Sequence, residues 1–99
     1  MNKNIKSAKR ERYLQMYEAI LTLESVEECI NFFDDLCSVT ELRAMEQRYQ
    51  VAKMLLEGHI YSTIIEQTGV STATISRVSR SLHASDGGYD VVLGRQMDK

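Results

Sequence analysis

Between residues 58 and 82 the chain reads GHIYSTIIEQTGVSTATISRVSRSL, and the apolar spacing around its central glycine leaves few ways to fold. Ile64 and Ile65 precede Gly69, Val70 follows it, and Ile75, Val78 and Leu82 then recur at helical intervals. Two short helices joined by a glycine turn would set these residues along one buried seam. Gly69 falls just past the first helix, where the left-handed backbone that ends many helices penalises a side chain by roughly 1 kcal/mol. Ser62 is expected to cap the first helix and Ser71 the second, each offering an oxygen to an unpaired amide of the first turn.

If Ile75, Val78 and Leu82 point inward, then Thr72, Ala73, Thr74, Ser76, Arg77 and Arg80 are left largely outward. Hydroxyls that donate or accept, methyls that can meet a thymine methyl, and guanidinium groups for guanine or phosphate suit a helix lying in a major groove. No acidic residue occurs from 67 to 83. Residues 58–83 therefore read as a helix-turn-helix, with Ser71, Thr72, Ala73, Thr74, Ser76, Arg77 and Arg80 as candidate contacts to double-stranded DNA.

The remainder is also expected to be helical, since the 99 residues contain no proline and five glycines. A first helix is expected from about Ser7 to Leu23, with Tyr13, Met16, Tyr17 and Ile20 on one face. Ser25 with Glu28 makes a capping box, after which Val26, Cys29, Ile30, Phe33 and Leu36 keep helical spacing. Ser38 with Glu41 repeats it before a third helix that runs to about Glu57. That helix carries Leu42, Met45, Tyr49, Ala52 and Leu56 as one stripe and Ala44, Val51, Met54 and Leu55 as another. A helix apolar on two sides needs two partners, which in so short a chain points to a homodimer. The expected architecture is a single all-α domain over 1–99. It has a basic arm at 1–12 and a loosely packed segment at 84–99 after the Gly87-Gly88 break.

The formal net charge of -2 is unevenly spread. Residues 1–13 carry +4, residues 14–37 carry six acids and no base, and residues 38–83 carry +1. Binding by phosphate neutralisation needs several cations, so either the basic arm contributes or it is a solvated terminus; both readings stay open. Cys29 and Cys37, eight residues apart in apolar helical stretches, read as buried reduced thiols rather than a bridge or a metal site. His59 and His83 have no acid or nucleophile at a recognisable spacing and there is no phosphate-cradling glycine loop, so no enzyme, cofactor or metal is expected. No apolar run approaches the ~20 residues of a membrane-spanning helix and the amino terminus has no export segment, so a cytoplasmic protein is expected.

The order of elements, LRAMEQRYQVAKMLLEGHIY and then GVSTATISRVSRSL, resembles the tryptophan repressor superfamily, and more closely its YerC/YecD-type branch. The similarity covers about residues 36 to 83, and the TATISR segment between Gly69 and Ser81 is its most specific part. The resemblance implies intertwined all-helical dimers that bind operator DNA through the helix-turn-helix and repress transcription. It also implies an effector cleft, for which Ser38, Arg48, Arg77, Val78 and Ser81 hold the corresponding positions. Ser38 stands where the repressor has threonine. Val78 stands where it has a glycine that leaves room for the indole ring. The segment between Gly58 and Gly69 is one residue shorter. The other reading open to the sequence is a helical protein-interaction module that has lost DNA binding, which the six-acid stretch suits.

Overpacking at Val78 costs roughly 1 to 3 kcal/mol, about one to two decades of affinity. Calorimetric titration with L-tryptophan is therefore expected to show no tight binding. A micromolar dissociation constant would contradict the role given to Val78.

Overall fold

The structure is a computed structural model that describes residues 11–84 and 87–98; the basic arm, apart from Glu11 and Arg12, lies outside the described residues. Among them there are helices and no strands. They are α1 (Leu14–Ile20), α2 (Val26–Leu36), α3 (Val39–Leu56), α4 (Tyr61–Thr68), α5 (Thr72–Ala84) and α6 (Gly88–Met97). Two compact units, 1–38 and 39–99, divide the span expected to be one domain.

The first unit holds α1 and α2. α1 is shorter than the expected helix: it ends at Ile20, and the part of the expected span before residue 11 lies outside the described residues. α2 starts as its sequence prescribes, with Ser25 Oγ accepting from the Glu28 amide at 3.1 Å. The Glu28 carboxylate reaches back to the amide of Glu24 at 2.9 Å, one residue earlier than a standard capping box.

None of the described residues in this unit is buried. Leu21 is 84% exposed and Val26 76%, and Tyr13, Leu14, Met16, Tyr17, Ile30 and Leu36 are exposed too. Amphipathic spacing is present here, but among the described residues the apolar side is left exposed. The same reason corrects the expectation for the thiols: Cys29 is exposed and Cys37 half-buried, both free.

The second unit contains the core. Val51, Ala52 and Met54 of α3, Ile64 of α4, Val70 of the turn, Ile75 and Val78 of α5, and Leu93 of α6 form one buried cluster. α3 packs on both α4 and α5, which pack on each other. Burial on α3 is confined to its second half; in the first half Leu42 and Ala44 are only half-buried and Met45 is exposed. α3 ends in a Schellman turn at Gly58 (φ 89°), where His59 N–H donates to the Met54 carbonyl and Gly58 N–H to that of Leu55.

The segment expected to pack loosely, 84–99, supplies α6. Its Leu93 is 1% exposed in the core, while Val91, Val92 and Met97 stay in solvent. Leu93 is the buried anchor of this helix, with Tyr89 half-buried against the same core.

Gly69 and Gly94 provide a paired test of the backbone reading. Gly69 has φ 75°, whereas Gly94 sits within α6 without a positive φ, and a Cβ added at either meets nothing within 4 Å. Gly69→Ala is expected to lose about 1 kcal/mol and Gly94→Ala to gain about 0.5 to 1 kcal/mol in urea unfolding at fixed protein concentration. Effects of the same sign would contradict it.

Candidate nucleic-acid interface

The turn between α4 and α5 is built from short-range bonds. α4 closes on Gly69, whose N–H donates to the Ile65 carbonyl at 2.8 Å. Thr68 Oγ1 donates to the Ile64 carbonyl at 2.7 Å and accepts from the Val70 amide at 3.3 Å, so one hydroxyl spans the helix end and the turn. Gln47 Nε2 of α3 donates to the Thr68 carbonyl at 3.5 Å, a long bond that ties the turn to the frame. Neither Thr68 nor Gln47 was singled out by the sequence, although a threonine before a helix-ending glycine is a local signal for such bonding.

Ser71 performs the expected cap: its Oγ accepts from the Thr74 amide at 3.2 Å. Ser62 does not. α4 begins at Tyr61 with an extended Ile60 as its N-cap and no side-chain cap, which places Ser62 inside the first turn. The Ile60 carbonyl accepts from the Ile64 amide at 3.1 Å, so the N-cap lies two residues before Ser62.

α5 is the long helix of the pair, and its inner side is fixed by Ile75 (fully buried) and Val78 (2% exposed). Ser71, Thr72, Ala73, Arg77 and Arg80 are exposed, and Ser76 is half-buried. At 100° per residue, Ala73, Ser76, Arg77 and Arg80 form the stripe opposite the core. Thr74 sits on the flank: it is half-buried, and its Oγ1 lies 3.2 Å from Ser71 Oγ. Part of its hydrogen-bonding capacity thus belongs to the cap. His83 extends the outer surface, with Nδ1 2.7 Å from the Ser79 carbonyl, so Nδ1 carries the proton that is donated. The stripe holds two guanidinium groups, and α5 contains no carboxylate.

The candidate effector residues are only partly brought together. Ser38 belongs to the first unit, the others to the second. Arg77 and Ser81 share the wall of a hollow of about 300 Å³ with Arg80 and Ala84. Arg48 is exposed on α3. Val78, which would border an indole slot, is a core residue beside Ile75 and Leu93. Its methyl groups fill space that a glycine would leave open.

Features of other chemistry are sparse. His59 Nε2 lies 3.6 Å from Glu57 Oε1, an exposed pair at the end of α3. Among the described residues no group of three potential metal ligands converges and no helix is long and apolar enough to cross a membrane.

Comparison with known proteins accords with this geometry. The family model for the Trp repressor protein matches residues 11–97. The uncharacterized protein YerC of Bacillus subtilis is 48% identical over 81 residues, covering 82% of this chain and 78% of its own length. A Trp operon repressor homolog of Chlamydia trachomatis is 34% identical over 86 residues, covering 82% of this chain and 92% of its own. Among solved structures, a candidate Trp repressor from Staphylococcus aureus superposes with a TM-score of 0.87 at 45% identity, covering 99% of this chain and 98% of that one. A TrpR-like protein from Eubacterium eligens gives 0.83 at 46% identity, covering 87% and 89%.

Proposed function

The chain belongs to the Trp repressor family, whose members are DNA-binding regulators rather than enzymes, and from that membership we propose that it is a sequence-specific transcriptional repressor acting as a homodimer. The observation that carries this reading is the outer stripe of α5, where Ala73, Ser76, Arg77 and Arg80 face away from the core on a helix free of carboxylates. Each subunit would lay α5 in a major groove, with half-sites about one helical turn apart in a palindromic operator.

Within that reading Thr72, Ala73 and Ser76 meet base edges. Arg77 and Arg80 serve guanine or phosphate, and Ser71 and Thr74 hold the amino end of α5 in register while Thr74 touches the base at its flank. The dimer rests on the exposed apolar residues of α1 and α2 and on the uncovered first half of α3. Covering such side chains contributes roughly 1.5 to 3 kcal/mol each when burial is complete. The cellular site would be the cytoplasm.

Regulation by tryptophan is not part of the proposal. Val78 occupies the core where the resemblance places a glycine, and opening a slot there would remove a buried side chain. Ser38, Arg48, Arg77 and Ser81 keep the polar residue types of an effector cleft, but Val78 stands where the resemblance places the glycine.

Selection from random duplexes tests the assignment and is expected to enrich a short palindrome. Enrichment of no sequence, with recovery of a protein partner instead, would favour an interaction module. On the selected duplex, Arg80→Ala is expected to weaken binding across sequences and flatten the salt dependence by about one log unit per log unit of salt for each subunit. An unchanged slope would remove Arg80 from the phosphate contacts.

A further inference from the structure

Two hydroxyls meet at the amino end of α5. Ser71 Oγ accepts from the Thr74 amide at 3.2 Å and lies 3.2 Å from Thr74 Oγ1. A hydroxyl has one hydrogen to give and two lone pairs. With one Ser71 lone pair taken by the amide, two arrangements remain. Either Ser71 donates to Thr74 and leaves Thr74 a hydrogen for DNA, or Thr74 donates to Ser71 and keeps only lone pairs. We propose that the second holds on DNA, so that Thr74 acts as an acceptor and selects a base with an amino group in the major groove, adenine through N6 or cytosine through N4. The proposal rests on the reading of α5 given above.

Exposure favours that polarity. Ser71 is exposed and Thr74 half-buried. A Ser71 hydrogen turned outward meets water, or a phosphate oxygen once DNA is bound, and phosphate oxygens accept. Turned toward Thr74, it would leave the more enclosed hydroxyl in need of an acceptor, and among the described residues that hydroxyl has no hydrogen-bond partner other than Ser71. The field of the helix acts in the same direction. Unpaired amides give the amino end of α5 a partial positive charge, which draws lone pairs inward and turns hydroxyl hydrogens away from the helix. Ser71 already faces that end with both its oxygens: Oγ accepts from the Thr74 amide and the carbonyl from the Ile75 amide, each at 3.2 Å.

The consequence is a chain of hydrogen bonds that runs one way, from the base amino group to Thr74, from Thr74 to Ser71, and from Ser71 to water or phosphate. Each link polarises the next in the same sense. A lone threonine hydroxyl reads donor and acceptor edges alike. One whose hydrogen is committed to a neighbour reads donors only. Ser71 is then a positioning residue as well as a cap, because it holds the Thr74 hydrogen and so decides which base edge that side chain meets.

The test uses the full-length protein and the palindrome it selects. Thr74→Val, which removes the hydroxyl and keeps the shape, is expected to relax selection at one base pair of each half-site; Thr74→Ala replaces it if the valine variant does not fold. At that pair the amino group is deleted, with purine in place of adenine or 2-pyrimidinone in place of cytosine, and binding is followed by mobility shift. Deletion is expected to weaken the unaltered protein about 3- to 10-fold and Thr74→Val less than about 2-fold. Ser71→Gly, a residue that N-cap positions tolerate, is expected to shrink the penalty to less than about 2-fold, because the freed Thr74 hydrogen can turn to a neighbouring N7 or O6 acceptor. A Ser71 that only caps would weaken both duplexes alike in this variant and leave their ratio unchanged, which would overturn the proposal. So would a Thr74→Val protein that relaxes no position, an amino-deletion penalty equal with and without the Thr74 hydroxyl, or a 7-deazapurine penalty that Thr74→Val relieves. A chain that selects no sequence fails the DNA reading itself, whereas one that keeps its palindrome and gives any of these results fails this proposal alone.

Discussion

The contact on which the rest depends is the packing of Ile64, Ile75 and Val78 with Val51 and Ala52. It joins the two short helices of the candidate interface to the long helix that carries them, and it does so with side chains that are almost wholly withdrawn from water. The direction of the α5 outer stripe is therefore set by the same residues that hold the unit together. Truncating one large core side chain costs about 2 to 5 kcal/mol, a large part of the 5 to 15 kcal/mol by which a domain is stable. Orientation of Arg77 and Arg80 and stability of the unit are in this sense one property.

That core is confined to residues 39–99. In the first unit none of the described residues is buried, although α1 and α2 carry a tyrosine, leucines, isoleucines, a methionine and two phenylalanines. The first half of α3 is similarly uncovered. A chain of this length has little surface to spare for its own apolar faces, and a second copy offers an identical set of faces related by two-fold symmetry. The proposal of a homodimer and the proposal of a palindromic operator thus share one physical ground.

How much of this was legible in the sequence varies with the range of the interaction involved. Gly69 and Ser71 were legible because a helix end and a cap are settled within four residues, and Ile64, Val70, Ile75 and Val78 because one seam joins adjacent helices; Ile65, expected on that seam, is exposed because it sits 100° round α4 from Ile64. The Ser25–Glu28 bond was legible for the same reason. Ser62 was misplaced because two possible starts for α4 differ by two residues, and the extended backbone of Ile60 decided between them. Cys29 was misjudged because periodicity shows which side of a helix is apolar, not whether anything covers it.

Thr74 lay between these cases. Its outward placement followed from spacing, but its engagement with Ser71 depends on side-chain geometry that spacing does not carry. Family resemblance supplied the architecture, and the single substitution at Val78 showed where ancestry and the present core part company.

The central claim is that this chain completes its apolar core with a second copy of itself. Sedimentation equilibrium across micromolar concentrations tests it most directly. The account predicts a species of about twice the 11.3 kDa chain mass throughout that range. A species of 11.3 kDa at every concentration would contradict it.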